Sequence, residues 1–199
     1  MMDSEERSGV DEWEIVRSRQ VGDYRVFNVR EDRRRSPRTG AEHDFYVLQM
    51  PEWVNVIALT PERRVVIIEQ YRHGIQAVGV EIPGGMVDAE DAVLAEAAGR
   101  ELEEETGYVA REIVGIGSVT ANPAIQNNQL HTFVALGCQK MGTVELEAAE
   151  DIAVREVELD AIPDLIGSGR MNHALVIAGF YWFDRWSREN EDVLRQYDT

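Results

Sequence analysis

A Pro-Gly-Gly turn at residues 83–85 divides a strand-forming part of the sequence from a helix-forming part, and this change constrains the fold more than any other feature. Residues 53–82 are rich in β-branched residues and break into short predicted strands. Over residues 92–106 the composition changes to Ala, Leu, Glu and Arg, which predicts a helix. Gly107 stands where helices commonly end in a left-handed residue. A sheet followed by a packed helix is therefore predicted here.

Strand and helix patterns on both sides of this turn predict the fold class. Apolar periodicity predicts strands at residues 13–19, 24–30, 45–50, 53–59, 64–71, 78–82, 113–119, 130–136 and 153–158. Further helices are predicted at residues 160–166 and 171–186, and the charged stretch 31–42 is expected to be a loop. The predicted class is α/β (α+β), with a mixed β-sheet sandwiched between helices.

The chain is predicted to have three parts. Residues 1–12 are acidic and polar, and we expect them to be disordered. Residues 13–50 are expected to form an N-terminal antiparallel β subdomain. Residues 51–199 would then be the main domain.

The charge balance restricts the partners of the chain. It has 20 Lys and Arg against 37 Asp and Glu, a formal net charge of −17, which repels nucleic acid and leaves an anionic substrate in need of a bound cation. No run reaches the roughly 18 apolar residues of a membrane-spanning helix. The charged first residues are unlike a signal peptide, and the single cysteine, Cys138, suits a reducing compartment. We therefore expect a cytoplasmic protein with no nucleic-acid or membrane partner.

Three carboxylates are predicted to share one face of the helix. Glu101, Glu104 and Glu105 lie at i, i+3 and i+4, within about 100° of the helix circumference. A solvated acidic face is the plainer alternative, because like charges at this spacing cost only about 0.2–0.5 kcal/mol on an exposed helix. The preceding glycine turn favours a functional interpretation, since carboxylates together with a backbone carbonyl suit Mg²⁺, which bridges to phosphates.

The segment from Arg100 to Tyr108, Arg-Glu-Leu-Glu-Glu-Glu-Thr-Gly-Tyr, resembles the second half of the Nudix box, and Gly85 is similar to the glycine that opens the box. The loop departs from the family pattern, because fourteen residues rather than thirteen separate Gly85 from Arg100. Either Glu90 or Asp91 therefore replaces the first glutamate of the box. The resemblance extends from the hairpin at residue 53 to the final helix, and it implies that residues 51–199 form a Nudix hydrolase domain.

This resemblance implies roles for the residues of the box. Glu101, Glu104 and Glu105 would hold Mg²⁺, or Mn²⁺ in its place, with the carbonyl of Gly84 as a further ligand. Arg100 would brace the carboxylates. Such metal ions offset phosphate charge, lower the pKa of a bound water and clamp the oxygens of a displacement at phosphorus.

Features outside the box resemble the ADP-ribose pyrophosphatase branch of the family. Arg72 is a candidate diphosphate contact, Glu81 precedes Ile-Pro as in that branch, and Pro123 stands where the branch typically carries a proline. Trp53 or Tyr46 is a candidate for stacking on adenine. Each has a plainer alternative: a surface ion pair for Arg72, a loop arginine as partner of Glu81, and a rigid loop around Pro123.

The general base is expected on the acidic loop of residues 145–151, which precedes a late strand. Glu150 is the first candidate and Glu147 the second, with a solvated loop as the alternative. The strands of residues 13–50 are similar to the subdomain through which this branch dimerises, so a homodimer is expected.

The resemblance implies hydrolysis of a small-molecule nucleoside diphosphate linked to a sugar, with ADP-ribose cut into AMP and ribose 5-phosphate. GDP-mannose, NADH, FAD and dinucleotide polyphosphates are alternative substrates. A nucleotide-sugar sensor that binds without turnover is the alternative from another class.

Overall fold

The computed structural model describes residues 9–88, 90–146, 148 and 150–197. Its strands are β1 (Glu14–Tyr24), β2 (Phe27–Arg35), β3 (Glu42–Gln49), β4 (Trp53–Leu59), β5 (Arg64–Arg72), β6 (Ala77–Glu81), β7 (Tyr108–Val109), β8 (Glu112–Thr120), β9 (Gln129–Leu136), β10 (Gln139–Lys140) and β11 (Ile152–Glu158). Its helices are α1 (Leu94–Thr106), α2 (Ile162–Gly167), α3 (Ala174–Glu189) and α4 (Glu191–Gln196), with a 3₁₀ turn before α2. None of these helices has the length and apolar composition needed to cross a membrane.

The chain divides into two compact units. The first unit contains the described residues up to Met50 and, in addition, the internal segment Asn122–Asn127. The second unit contains Pro51–Ala121 and the described residues from Asn128 onward. No pattern in the sequence predicts that Asn122–Asn127 belongs to the first unit.

The first unit is built on an antiparallel sheet in the order β1-β2-β3. The prediction of a loop over residues 31–42 was wrong for residues 31–35, which continue β2, and for residue 42, which begins β3. These charged residues are accommodated in β2 because they form ion pairs with the neighbouring strands. Arg33 binds Asp44 of β3 at 2.8 Å, and Arg35 binds Glu14 of β1 and Glu42 of β3. Only the tight turn beyond Arg35 remains of the predicted loop.

The second unit confirms the mixed sheet. Its strands lie in the order β11-β5-β4-β9-β8, with β6 beside β5; β4 and β9 are parallel and the other pairs are antiparallel. Helix α1 packs on one face through Ala97, Ala98 and Leu102, against Val56 and Val66. Helix α3 packs on the opposite face, where Val176, Phe180 and Phe183 join a second core cluster. The sheet is therefore enclosed by helices on both sides, as expected.

The glycine turn is held against the edge of β4. Strand β4 pairs with β5 only at Ala58 and Leu59, and the turn occupies the rest of that edge. Val54 N donates to Gly85 O at 3.0 Å, and Val56 N donates to Pro83 O at 2.9 Å. A Cβ at residue 84 would lie 2.3 Å from the carbonyl oxygen of Val54, so only glycine fits this close approach.

Helix α1 begins two residues later than predicted and ends where predicted. Its first residue is Leu94, because the backbone of Val93 is still extended, with φ −144° and ψ 154°. Ala92 N donates to the side chain of Glu96 at 3.0 Å. Gly107 has φ 72° and donates its N–H to Glu103 O, which confirms the left-handed cap. The short helix α4, anchored by buried Leu194, was not predicted.

Candidate active site

Helix α1 brings two of the predicted carboxylates against the glycine turn. Gly84 N donates to Glu105 Oε2 at 2.9 Å. A Cβ at residue 85 would lie 2.6 Å from both carboxylate oxygens of Glu101. The helix and the turn are thus in direct contact, with the polar ends of Glu101 and Glu105 directed at the backbone of the two glycines.

Arg100 joins the carboxylates of the helix. Its Nη1 donates to Glu101 Oε1 at 2.9 Å and to Glu104 Oε2 at 3.0 Å. Its Nη2 also donates to the carbonyl oxygen of Met86, at 3.1 Å. One guanidinium therefore fixes the orientation of two carboxylates and ties them to the loop that follows the turn, as charge-assisted hydrogen bonds do well.

Asp91, rather than Glu90, contacts this arginine. Arg100 Nε and Nη2 donate to the two oxygens of Asp91 at 3.2 and 3.0 Å. The N–H of Asp88 donates to Asp91 as well, at 2.8 Å, so the lengthened loop folds back onto its own aspartate. Glu90 is exposed to solvent. The extra residue thus brings a shorter acid within reach of the guanidinium.

Burial has a marked effect on two of these carboxylates. Desolvation is the main cause that raises the pKa of Glu101 to about 7 and that of Glu105 to about 8. For Glu105 the bond from Gly84 N acts in the opposite direction, while the charges of Glu101 and Glu150 raise the pKa further. Strong shifts of this kind are typical of functional sites, where charge is buried without full compensation.

The donor set fits a hard divalent cation, although the side chains do not form a finished cage. Among the described residues, no group of three His, Cys, Asp or Glu side chains is arranged to hold a metal ion. The reason is visible in the contacts: Glu101 and Glu104 face Arg100, and Glu105 faces Gly84 N. Buried carboxylates beside a backbone turn are nevertheless the ligands that Mg²⁺ prefers. Binding would require these side chains to turn from their present partners.

The two candidates on the neighbouring hairpin form a pair with each other. Arg72 Nε and Nη2 donate to the two oxygens of Glu81 at 2.7 and 2.9 Å. Glu81 is buried, and Gly79 leaves the space that its carboxylate needs. Arg72 is only partly buried, and its pKa is raised, first by Glu81 and also by the charges of Glu105 and Glu150. The structure thus shows the ion pair that was the plainer alternative for both residues.

The loop with the candidate bases begins on α1 and ends on the sheet. Glu145 N donates to Glu104 O at 2.9 Å, and Ile152 pairs with Gln70 of β5. Glu150 lies between these anchors, and its charge raises the pKa of Glu101 and Glu105. The second candidate, Glu147, lies outside the described residues. Glu150 is therefore electrostatically part of the cluster.

Of the three remaining candidates, Trp53 lies in the second unit, whereas Tyr46 and Pro123 lie in the first. Tyr46 is exposed, and its hydroxyl donates to Glu31 Oε2 at 3.2 Å. Trp53, which is half-buried, begins β4 and forms a bridge to Met86 beside the glycine turn. Pro123 is exposed and belongs to the segment Asn122–Asn127 of the first unit. The sequence predicted a loop around Pro123. It did not predict that this loop binds Leu48 of β3, because the two segments are distant in the sequence.

Comparison with known proteins assigns the family. A model of the NUDIX domain matches residues 50–180, more than half of the chain. The chain therefore belongs to the NUDIX domain family, and its enzyme class is that of the Nudix pyrophosphohydrolases.

Individual relatives agree with this family. The methanol dehydrogenase activator of Bacillus methanolicus is 32% identical over 151 residues, which cover 75% of this chain and 80% of that protein. The ADP-ribose pyrophosphatase of Bacillus subtilis (strain 168) is 30% identical over 126 residues, 61% of this chain and 66% of that protein. A crystal structure of an ADP compounds hydrolase superposes with a TM-score of 0.81 and 18% identity, covering 92% of this chain and 98% of that one. The last comparison shows the shared fold.

Proposed function

We propose that this protein is a Mg²⁺-dependent hydrolase of nucleoside diphosphates linked to a sugar, and that it cuts ADP-ribose into AMP and ribose 5-phosphate. The observation that carries the proposal is the contact of Glu101 and Glu105 with the Gly84–Gly85 turn, braced by Arg100, in a chain of the NUDIX family. A relative named ADP-ribose pyrophosphatase supports the choice of substrate.

The residues around the glycine turn would have separate roles in binding and catalysis. Glu101, Glu104, Glu105 and the carbonyl of Gly84 would hold Mg²⁺, which when bound offsets phosphate charge and acidifies a water. Arg100 keeps the carboxylates in place before the substrate arrives. Water adds to one phosphorus, and the bridging oxygen leaves with the other phosphate.

Two side chains beside the carboxylates would act on the water and the diphosphate. Glu150 would accept the proton of the attacking water, since it approaches the cluster from a loop anchored on α1. Arg72 would contact the diphosphate while Glu81 keeps the guanidinium in position.

A release assay tests the proposal directly. Purified protein is incubated with Mg²⁺ and, separately, with ADP-ribose, GDP-mannose, NADH, FAD and diadenosine polyphosphates. We expect ADP-ribose to be hydrolysed fastest and EDTA to stop the reaction. Preference for another compound would keep the chemistry and contradict the substrate, whereas turnover that survives complete metal removal would contradict the metal.

A second candidate is a regulator that binds a nucleotide sugar without turnover. The name of the relative from Bacillus methanolicus, an activator, is the observation that favours it. The intact set of Glu101, Glu104 and Glu105 argues against it. Tight binding of ADP-ribose in a calorimeter, together with no product after prolonged incubation, would select the regulator.

The proposal includes a cytoplasmic homodimer that pairs through residues 13–50. Exposed apolar side chains of this unit, on β1, on β3 and in the turn between β1 and β2, support an interface: Ile15, Val21, Tyr24, Val26 and Phe45. Sedimentation of the full chain is expected to give a dimer, and Ile15→Glu with Phe45→Glu is expected to shift it toward monomer. Variants that sediment as the wild type would contradict this interface.

A further inference from the structure

The chain segment that leads into the acidic loop of residues 145–151 is bound to the C-terminal end of α1. The short strands β7 and β10 pair with each other, with Lys140 opposite Tyr108. The next two residues, Met141 and Gly142, both donate their N–H to the carbonyl oxygen of Gly107, at 3.1 and 3.0 Å. The chain therefore turns back onto the glycine that caps the helix.

The following contact reaches the last turn of the helix itself. Glu145 N donates to Glu104 O at 2.9 Å, while the side chain of Glu145 is exposed. The last carbonyl groups of a helix have no partner within the helix. The loop supplies a donor for one of them. Glu104, a proposed metal ligand, therefore also holds the start of the acidic loop through its backbone.

Gly142 lies directly against a side chain of the helix. A Cβ at residue 142 would lie 2.5 Å from Glu103 Oε1 and 2.6 Å from Glu103 Cγ. Both distances are well inside the roughly 3.5–4.0 Å of ordinary contact between carbon atoms. A side chain at residue 142 would therefore push the loop away from the helix, or turn Glu103 aside.

The far end of the acidic loop is fixed on the sheet. Ile152, two residues beyond Glu150, pairs with Gln70 of β5. Gln70 is in turn two residues from Arg72 on the same strand. The charge of Glu150 raises the pKa of Glu105, which agrees with a position close to the cluster. The loop thus runs from the helix that bears the carboxylates to the strand that bears Arg72.

We infer that the C-terminal end of α1 positions the loop that carries the general base, through the N–H of Glu145 and the close approach of Gly142. This inference rests on the proposed function, in which Glu150 accepts the proton of the attacking water. Gly142 and Glu145 are positioning residues, because they act through the loop. Since the base acts in the chemical step, displacement of the loop lowers kcat and leaves KM nearly unchanged.

The pair Glu145→Pro and Glu145→Ala isolates the hydrogen bond to the helix. Proline has no N–H, so Glu145→Pro removes the donor to Glu104 O. Glu145→Ala removes the same exposed side chain and keeps the donor. Each variant is measured by amide hydrogen exchange at Met141 and Gly142, and by kcat and KM for ADP-ribose with Mg²⁺.

Glu145→Pro is expected to speed exchange at Met141 and Gly142 and to lower kcat about 10-fold, less than the roughly 100-fold or more for loss of a general base. Its KM should stay within about twofold of wild type. Glu145→Ala is expected to change neither exchange nor kcat. Unchanged exchange in Glu145→Pro would overturn the inference, since the bond would then not hold the loop. An unchanged kcat, or a rise in KM alone, would overturn it as well.

A double-variant cycle tests whether the effect passes through Glu150. In Glu150→Gln the base is already lost, so the addition of Glu145→Pro is expected to lower kcat by less than about twofold. A further 10-fold loss, on the order of that in the single variant, would overturn the inference, because the two residues would then act independently. A wild-type kcat in Glu150→Gln would contradict the base of the proposed function and the positioning role with it. The exchange data would still decide whether α1 holds the loop.

A second pair covers the case in which Glu145→Pro does not fold. Gly142→Ala is expected to lower kcat about threefold to tenfold with little change in KM. Gly142→Ala combined with Glu103→Ala is expected to return kcat to within about twofold of wild type, because the added Cβ then takes the space of the Glu103 side chain. Equal losses in the two variants, or no loss in Gly142→Ala, would overturn the inference.

Discussion

Two regions of this protein bury acidic side chains, and they treat the buried charge in opposite ways. In the first unit, Glu31 accepts hydrogen bonds from Arg17, Arg19 and Tyr46, chiefly from Arg19, and its pKa is lowered. In the cluster on α1, burial outweighs the available partners, and the pKa of Glu105 is raised to about 8. Glu31 therefore stabilises a sheet through compensated charge, whereas the charge of Glu105 is not fully compensated by the protein.

Asp32 makes the contrast sharper, because it is as buried as any acid of the cluster. Burial by itself raises its pKa, yet hydrogen bonds from Ser18, Arg34 and Arg30 more than offset that effect, and the pKa of Asp32 is lowered. Burial alone therefore does not identify a functional carboxylate. A shortage of local donors does. Within the part of the chain that the structure describes, Glu105 accepts a hydrogen bond from Gly84 N alone.

The largest expected effect is the loss of turnover in Glu104→Gln with Glu105→Gln. The change removes two proposed metal ligands, and we expect kcat to fall on the order of 1,000-fold or more. Circular dichroism should show an intact fold. Glu103→Gln is the matched control, because Glu103 is an exposed residue of the same helix. Near wild-type rates in the double variant would contradict the metal assignment. The acids on α1 would then not differ in function from the buried acids of the first unit.

The next effect tests how the cluster is held. Asp91→Asn keeps the shape of the side chain but weakens its bond to Arg100, so we expect kcat to fall about 10-fold to 100-fold, as when support of a metal ligand is lost. Glu90→Gln is expected to leave kcat unchanged, since Glu90 is exposed. Equal losses in both variants, measured as initial rates at saturating substrate, would show that the loop rather than Asp91 matters.

The third prediction compares the stabilities of the two regions in EDTA at pH 8. Asp32→Asn leaves Arg30 and Arg34 without their shared anion, and we expect the free energy of unfolding to fall by about 1–3 kcal/mol. Glu105→Gln removes a charge that burial disfavours and keeps an acceptor for Gly84 N, so its stability should equal or exceed that of wild type. The measurement is urea denaturation. Destabilisation of Glu105→Gln as large as that of Asp32→Asn would end the distinction.

The sequence predicts features that local spacing determines, and it does not predict features that depend on contacts between separate segments. The cluster on α1 was predictable because Glu101, Glu104 and Glu105 lie on one helix, where spacing alone fixes their common face. The choice between Glu90 and Asp91 was not, because it depends on how a loop with one extra residue folds back onto Arg100.

Pairings across strands were harder still. Residues 31–35 have the composition of a loop, and only their partners on β1 and β3 make them a strand. The pairing of Arg72 with Glu81 depends on the register of β5 and β6. The contact of Leu48 with Ile125 joins residues that are distant in the chain. Such contacts leave no periodic pattern in the sequence.

The smallest expected effect concerns Cys138, a buried group that belongs to neither region. Burial raises the pKa of its thiol to about 12, and its Sγ contacts Ala135 O. We expect the folded protein to resist a thiol reagent at pH 8 and to react once urea unfolds it. A raised folded-state pKa gives stability that is complete below the ordinary thiol pKa and is lost as the pH rises toward 12, so Cys138→Ala should flatten the stability profile above pH 9. Rapid labelling of the folded protein would contradict this burial. Resistance would show that a buried group with a raised pKa can lie outside the candidate site, so that burial of Glu105 identifies a site only together with its contact with the glycine turn.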